Sequence, residues 1–502
     1  MNTKKHLLTW IALTAVICSA LAACGEEGGQ NPGSPAQTAS SAETTAAETE
    51  AEETKIVYAA DIPEGTDFGG YNFRFLHWYH DSWQERINKD LVAEEMNGET
   101  LNDAVYTRNM NVSEALNINI TSELMGLGEI ATAVNKAVSA GEDAWDAVYI
   151  RLYEVPSSLS SGIFMNYFNI PTIDFENPWW DHNSVEQLSI DHKLFLVASD
   201  INIIDKNATA GLAFNKQMAV DYSLPDLYQT VRDGKWTMDY MMSLYQNASR
   251  DIDGDGKMGL NDIYGFLSKN DAMTFFFHGS GGRFISKDSE DIPYFSFPGE
   301  KNFTVTQKLF DMFSDENNFF NQHVWDTSVV TDAMYTQMFA NGQGLFFLLR
   351  LDDIEFMRSS DTDFGVLPIT KYDETQSDYY STVSQHTTGL MSIPITVSDM
   401  ERDGLILEAL AAESKNLVQP AYYEINMTTK YTRDTESGEM LELIMANRVY
   451  DLGCIYSFGD FANQYQNMGS GKKNDIASMT AKSESKVAKA IDKVVAKYAD
   501  LG

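Results

Sequence analysis

From residue 71 onward the apolar positions along the chain switch between two periods. "YNFRFLH" (71–77) is rich in β-formers and predicts a strand, whereas "ETLNDAVYTRNMNVSEALNI" (99–118) carries Leu101, Val105, Val112 and Leu116 at helical spacing. "INITSE" (118–123) is extended again, "EIATAVNKAVSAG" (129–141) reads as a helix, and "WDAVYI" (145–150) reads as a third strand. This β-α-β-α-β order implies a parallel sheet with helices on its faces, so the expected fold class is α/β.

A second block begins near "KLFLVASDINI" (193–203) and "GLAFNKQMA" (211–219), with an amphipathic helix in "DGKWTMDYMMSLYQNA" (233–248). Strands are expected in "GQGLFFLLR" (342–350), "DFGVLP" (363–368) and "TTGLMSIPI" (387–395), and helices in 438–452 and 474–499. No repeat of solenoid period is evident. Ligands of parallel sheets sit beyond the carboxyl ends of the strands, which makes the residues after 77 and after 150 candidates. After 77 comes an aromatic group, Trp78, Tyr79 and Trp83, interleaved with His80 and Asp81. It suits either a flat binding platform or a core position.

The N-terminus changes the picture by setting a compartment. Lys4 and Lys5 precede an apolar run ending in "LAAC" (21–24), the layout of a secretion signal (1–23) with a bacterial lipobox, so Cys24 is expected to become the lipidated first residue. Residues 24–56 contain almost no large apolar side chains and many Glu, Thr, Ser and Ala, and are expected to form a disordered acidic linker. With Cys18 in the signal and Cys24 acylated, Cys454 has no partner for a disulfide. Net charge is −37; loss of Lys4 and Lys5 leaves 34 basic against 73 acidic residues, or −39. Such a surface makes nucleic acid a poor partner and keeps an exported body soluble.

Two further stretches bear on chemistry. "DIDGDGKMGLND" (251–262) has the twelve-residue spacing of a calcium loop: carboxylates from Asp251, Asp253, Asp255 and Asp262, a carbonyl from Lys257, and Gly256 at the turn. Single and set mid-domain, it is expected to hold a structural Ca²⁺; an empty Asp/Gly turn is the alternative. No G-x-S-x-G, H-E-x-x-H or phosphate-loop motif occurs, and "HGSGGRF" (278–284) lacks the phosphate-loop lysine.

Taken in order, "LAAC", "NGETLNDAVYTRN" (97–109), "NPWWD" (177–181), "GKWTMDYM" (234–241), the calcium-type loop, "FANGQGLFF" (339–347), "DFGVLPITK" (363–371) and "PAYYE" (420–424) resemble the family 1 extracellular solute-binding lipoproteins of carbohydrate ABC importers. The resemblance implies a two-lobed type II periplasmic-binding-protein fold closing on a sugar in a central cleft. It places lobe one at 57–193 plus 330–393 and lobe two at 194–329 plus 394–502. It also implies a monomer, a permease partner, and lipid anchoring at the extracellular face of a Gram-positive-type membrane, without enzymatic activity. A secreted glycan hydrolase and a surface adhesin are the alternatives.

Sugar rings offer apolar faces and a rim of hydroxyls, which flat aromatics and carboxylates or Arg would meet. Removing roughly 100 Å² of apolar area from water is worth on the order of 2.5 kcal/mol. The candidate contacts are Trp78, Tyr79, Trp83, Trp179, Trp180, Trp236 and Trp325, with Asp81, Asp181, Asp200 and Arg350 as hydroxyl partners. Against these stand bland roles: Trp236 as a core anchor, Trp179 and Trp180 as braces of the lobe junction, and Asp200 as a turn cap.

Overall fold

A computed structural model describes residues 56–79, 90–325, 329–357, 360–427, 435–471 and 473–501. The signal, Cys24 and the linker up to residue 55 lie outside the described residues, as do Asp81 and Trp83. Strand β1 (Tyr71–Tyr79) leads through helix Thr100–Leu116 to β2 (Ile118–Gly126), and helix Ile130–Ala140 leads on to β3 (Ala147–Arg151). β1 is parallel to both β2 and β3, as the β-α-β-α-β order requires. Leu101, Val105, Val112 and Leu116 are all buried. Asn117, at φ 51°, closes their helix in the left-handed region that Asn tolerates, so β2 starts at the next residue.

The same helix buries a charge that its apolar spacing does not announce. Arg108 has no exposed surface, and its guanidinium donates to the main-chain oxygens of Asp90 (2.8 Å), Leu91 (2.8 Å) and Ile201 (2.7 Å). Burial pulls its pKa down to about 10, against the pull of Asp90. The Asp90 carboxylate in turn accepts from Ile203 N–H at 2.5 Å. Helix and crossing chain are thereby joined through an interior where an unpaired polar group would be costly.

The second sheet is built from β4 (Ala210–Asn215) and β5 (Tyr264–Ser268), beside a hairpin of β6 (Ile285–Lys287) and β7 (Pro293–Phe295), then β8 (Phe319–Asn321), β9 (Gly344–Arg350) and β10 (Phe364–Leu367). Its order is β10-β4-β9-β5-β8, with β5, β8 and β9 mutually parallel and β4 antiparallel to both its neighbours. β11 (Ser381–Thr382) follows, then β12 (Gly389–Ser392), and finally β13 (Arg448–Val449), which pairs with β11. β12 returns to β3 and runs antiparallel to it, giving a first sheet of order β12-β3-β1-β2. Among the described residues no helix is long and apolar enough to cross a membrane.

Sheet membership corrects the expected lobe boundaries. Within 330–393, assigned above to lobe one, β9 and β10 pair with β4 in the second sheet, and only β12 joins the first. Residues 194–199, assigned to lobe two, stay with the first lobe, since Val197 bridges Met391 of β12 and Ser199 bridges Trp180. Helices Met400–Asn416 and Val418–Met427 also pack on Thr100–Leu116 of lobe one, whereas helix Thr435–Ala446 packs on β10 of lobe two. Periodicity reports which face of an element is buried and is silent about its neighbour, so these exchanges were hidden. The helix expected over 438–452 stops at Ala446 for a similar reason: Arg448 is drawn into β13 by ion pairs with Asp181 and Asp205.

The "NPWWD" stretch is clamped to lobe one by a single carboxylate. Glu408, on helix Met400–Asn416, accepts from the indole N–H groups of Trp179 and Trp180 (2.8 Å each), from Asn177 Nδ2 (3.2 Å) and from Asp174 N–H (2.9 Å). Both indoles are 3% exposed, so their N–H groups have no recourse to water. Glu408→Ala leaves these donors without an acceptor and is expected to cost about 3 kcal/mol in equilibrium denaturation. A loss under about 1 kcal/mol would sink the clamp.

Candidate functional site

Strands β1 and β3 of the first sheet and β5, β8 and β9 of the second run into charged, polar or aromatic residues. In the first lobe β1 ends at Tyr79, and β3 ends at Arg151, followed by Tyr153 (50% exposed) and Glu154. In the second, β5 runs into Lys269 and Asp271, β8 into His323 and Trp325, and β9 ends at Arg350 before Asp352, Asp353 and Phe356. Tyr153, Val324 and Phe356 are among the large apolar side chains left exposed, and all three follow strand ends. Carboxyl ends are where parallel sheets present their ligand crevices.

The polar groups form local pairs. Arg151 lies 3.6 Å from Glu154 and sits over the Tyr153 ring at 5.6 Å. Lys269 lies 3.8 Å from Asp332 and 5.1 Å from the centre of the Tyr335 ring. Arg350 Nε is 3.3 Å from Asp352, and its main-chain N–H donates to Asp353 at 3.0 Å. Burial works against the Arg350 charge, but Asp352, Asp353, Asp271 and Asp332 outweigh it and raise its pKa. Trp325 is half-buried and stacks on Phe320 at 5.8 Å and 22°.

His386 lies against the first of these groups. Its main-chain oxygen accepts from Arg151 Nε at 2.5 Å, and its ring centre is 5.2 Å from that of Tyr153. Burial pushes the imidazole below its ordinary range; Asp271 of the second lobe opposes the shift, while Arg151 of the first and Arg350 of the second reinforce it.

No family model matches this chain, and no curated protein matches it either. Solved structures do. The cyclic alpha-maltosyl-1,6-maltose binding protein from Arthrobacter globiformis aligns with TM-score 0.54 at 13% identity, over 85% of this chain and 99% of that one. A cyclo/maltodextrin-binding protein complexed with maltotetraose gives 0.52 at 13% identity, over 86% and 98%. An ABC substrate-binding protein from Listeria monocytogenes, in complex with cycloalternan, gives 0.50 at 10% identity, over 86% and 100%. The chain has the two-lobed α/β fold of these binding proteins. At such identities the likeness concerns fold alone.

Within that fold the predicted site residues separate into groups. Tyr79 and Arg350 are the last residues of β1 and β9, and Trp325 follows β8. Trp78 is 2% exposed and packs over Gly389 of β12, where an added Cβ would come within 2.7 Å of its indole nitrogen. Trp236 has no exposed surface; it donates to Pro368 O at 2.9 Å and lies 5.5 Å from Phe346, so it is the core anchor. Trp179 and Trp180 belong to the Glu408 clamp. Asp181 and Asp200, with Trp180, line a separate polar hollow of about 300 Å³. There Asp181 pairs with Arg448 (2.9 Å) and accepts from Tyr450 (2.7 Å), while Asp200 lies 3.2 Å from both Lys206 and Lys415. These charges answer one another and brace the lobe crossing.

Arg151, Tyr153, Lys269, Asp332 and His386 stand at or near the strand ends without belonging to any motif of the sequence; only the position of Arg151 and Tyr153 just after 150 signals them. In the calcium-type loop the carboxylates of Asp251, Asp253 and Asp255 come within 4.8 Å of one another on an exposed surface, a donor set that suits a hard cation. Asp262 is buried, and its two oxygens accept from Ile252 N–H (2.8 Å) and Gly259 N–H (2.6 Å). Lys257 N–H donates to Asp255 at 2.8 Å.

Proposed function

We propose that this chain is the solute-capturing lipoprotein of a carbohydrate ABC importer. It takes up a sugar, an oligosaccharide in this reading, and passes it unaltered to a membrane permease. The observation that carries the reading is the gathering of aromatic faces (Tyr79, Tyr153, Trp325, Phe356) and fixed charges (Arg151, Arg350, Asp352) at the strand ends of both lobes. Solved proteins of the same fold are named for binding maltodextrin-type and cyclic saccharides, which supports the ligand class. A sugar touching both lobes favours the closed state by its differential contacts.

In this reading Cys24 carries the acyl chains that hold the protein, as a monomer, at the outer face of the cell membrane. The residues 24–56 act as the tether. The 251–262 loop holds a structural Ca²⁺ on Asp251, Asp253 and Asp255 with the Lys257 carbonyl, and Asp262 joins the cage only by exchanging its two main-chain donors for the ion.

Intrinsic Trp fluorescence and thermal shift against malto-, cyclomalto-, cello- and xylo-oligosaccharides should give a saturable response with the sugar recovered intact. Recovery of cleaved sugar, or silence across the panel, counts against capture. Chelation should lower the thermal midpoint of the wild type and leave Asp253→Asn unmoved; equal midpoints with and without chelator remove the calcium. Cys24→Ser should move the protein from the membrane fraction to the medium, and retention on the membrane would exclude the acyl anchor.

A further inference from the structure

The chain that returns from lobe two to lobe one, residues 383–388, is bonded to both. On the second-lobe side Val383 N–H donates to Val449 O (3.0 Å) and Ser384 N–H to Ala208 O (2.9 Å). On the first-lobe side Tyr153 N–H donates to Gln385 O (3.1 Å) and Leu152 N–H to Thr388 O (3.0 Å). A residue in the middle of such a strap sits near the axis about which the lobes turn, so its place in the cleft is kept when the lobe angle changes. His386 occupies that position, half-buried, with its main-chain oxygen held by Arg151 of lobe one and its ring 5.2 Å from that of Tyr153.

The neighbouring side chain fixes its tautomer. Gln385 Nε2 lies 3.1 Å from His386 Nε2. With the amide nitrogen turned toward it, the imidazole Nε2 is the acceptor, and a neutral ring then carries its single proton on Nδ1. Among the described residues nothing accepts that proton; the hydrogen bonds of His386 are the one from Gln385 and the one to its main-chain oxygen. The strap thus holds an oriented donor at the junction of the two lobes.

We propose that His386 is a ligand-reading residue, donating its Nδ1–H to an acceptor oxygen, hydroxyl or ether, of the captured solute. This rests on the capture reading and narrows it: the solute presents an oxygen acceptor to the hinge, and a group with only N–H donors there is rejected. Gln385 is the positioning residue that keeps the proton on the correct nitrogen.

Three substitutions separate this role from packing. The amide nitrogen of Asn lies as many bonds from Cβ as imidazole Nδ1, and that of Gln as many as Nε2. Affinity for the tightest-binding sugar of the panel, measured by Trp fluorescence, should fall about three- to tenfold in His386→Leu and His386→Gln and stay within about twofold of wild type in His386→Asn. Thermal midpoints without sugar should agree across the variants that fold. Wild-type binding with the Asn and Gln variants equal in affinity overturns this inference and leaves capture standing. Absence of any wild-type binding overturns both.

Discussion

Charge carried into the interior at the lobe crossing is what the rest of the architecture depends on. Arg448 reaches Asp181 of the first lobe and Asp205 of the crossing chain; Lys206 lies 3.6 Å from Asp205 and 3.2 Å from Asp200; Arg108 holds the oxygens of Asp90, Leu91 and Ile201. Asp205 and Arg108 are wholly buried, and Arg448 and Lys206 nearly so. A buried ion without its partner costs several kcal/mol, so these groups admit few arrangements of the chain that passes between them. Burial weighs against the Lys206 charge, yet Asp205 and Asp200 raise its pKa, which keeps the cation in place. The crossing is held by necessity of pairing.

The carboxyl ends of the two sheets carry the exposed aromatic and charged groups. β3 hands on to Arg151 and Tyr153, β9 to Arg350 and its two aspartates, and the return strap brings His386 against Arg151. Each lobe supplies both an aromatic face and a cation with a carboxylate beside it. Pairs of this kind fix one another's orientation. Groups at the polar hollow of Asp181 and Asp200 answer one another across the crossing, so similar residue types serve two purposes about the same hinge.

Tryptophan illustrates how context divides one residue type. Of the described candidates, Trp78, Trp179, Trp180 and Trp236 are buried, and those with a described indole bond spend the N–H on a protein acceptor: Glu408 for Trp179 and Trp180, Pro368 O for Trp236. Trp325 stays half-buried on Phe320 near the end of β8. A large ring with a polar edge suits core and binding face alike, and only the acceptor it meets decides between them.

The sequence by itself determined the elements and their kind. Helical spacing at Leu101, Val105, Val112 and Leu116 and β-rich runs at 71–77 and 145–150 are local consequences of burying one face, and they yielded the three parallel strands of the first sheet and the α/β class. The twelve-residue acidic loop was legible too, because its spacing is a property of one continuous stretch. What only the tertiary structure decided was partnership: that β9 and β10 pair with β4, that Glu408 meets two indoles more than two hundred positions earlier, and that the main-chain oxygen of His386 is held by Arg151. Those contacts join residues remote in the chain, and their energies come from mutual desolvation and pairing, which no local period encodes.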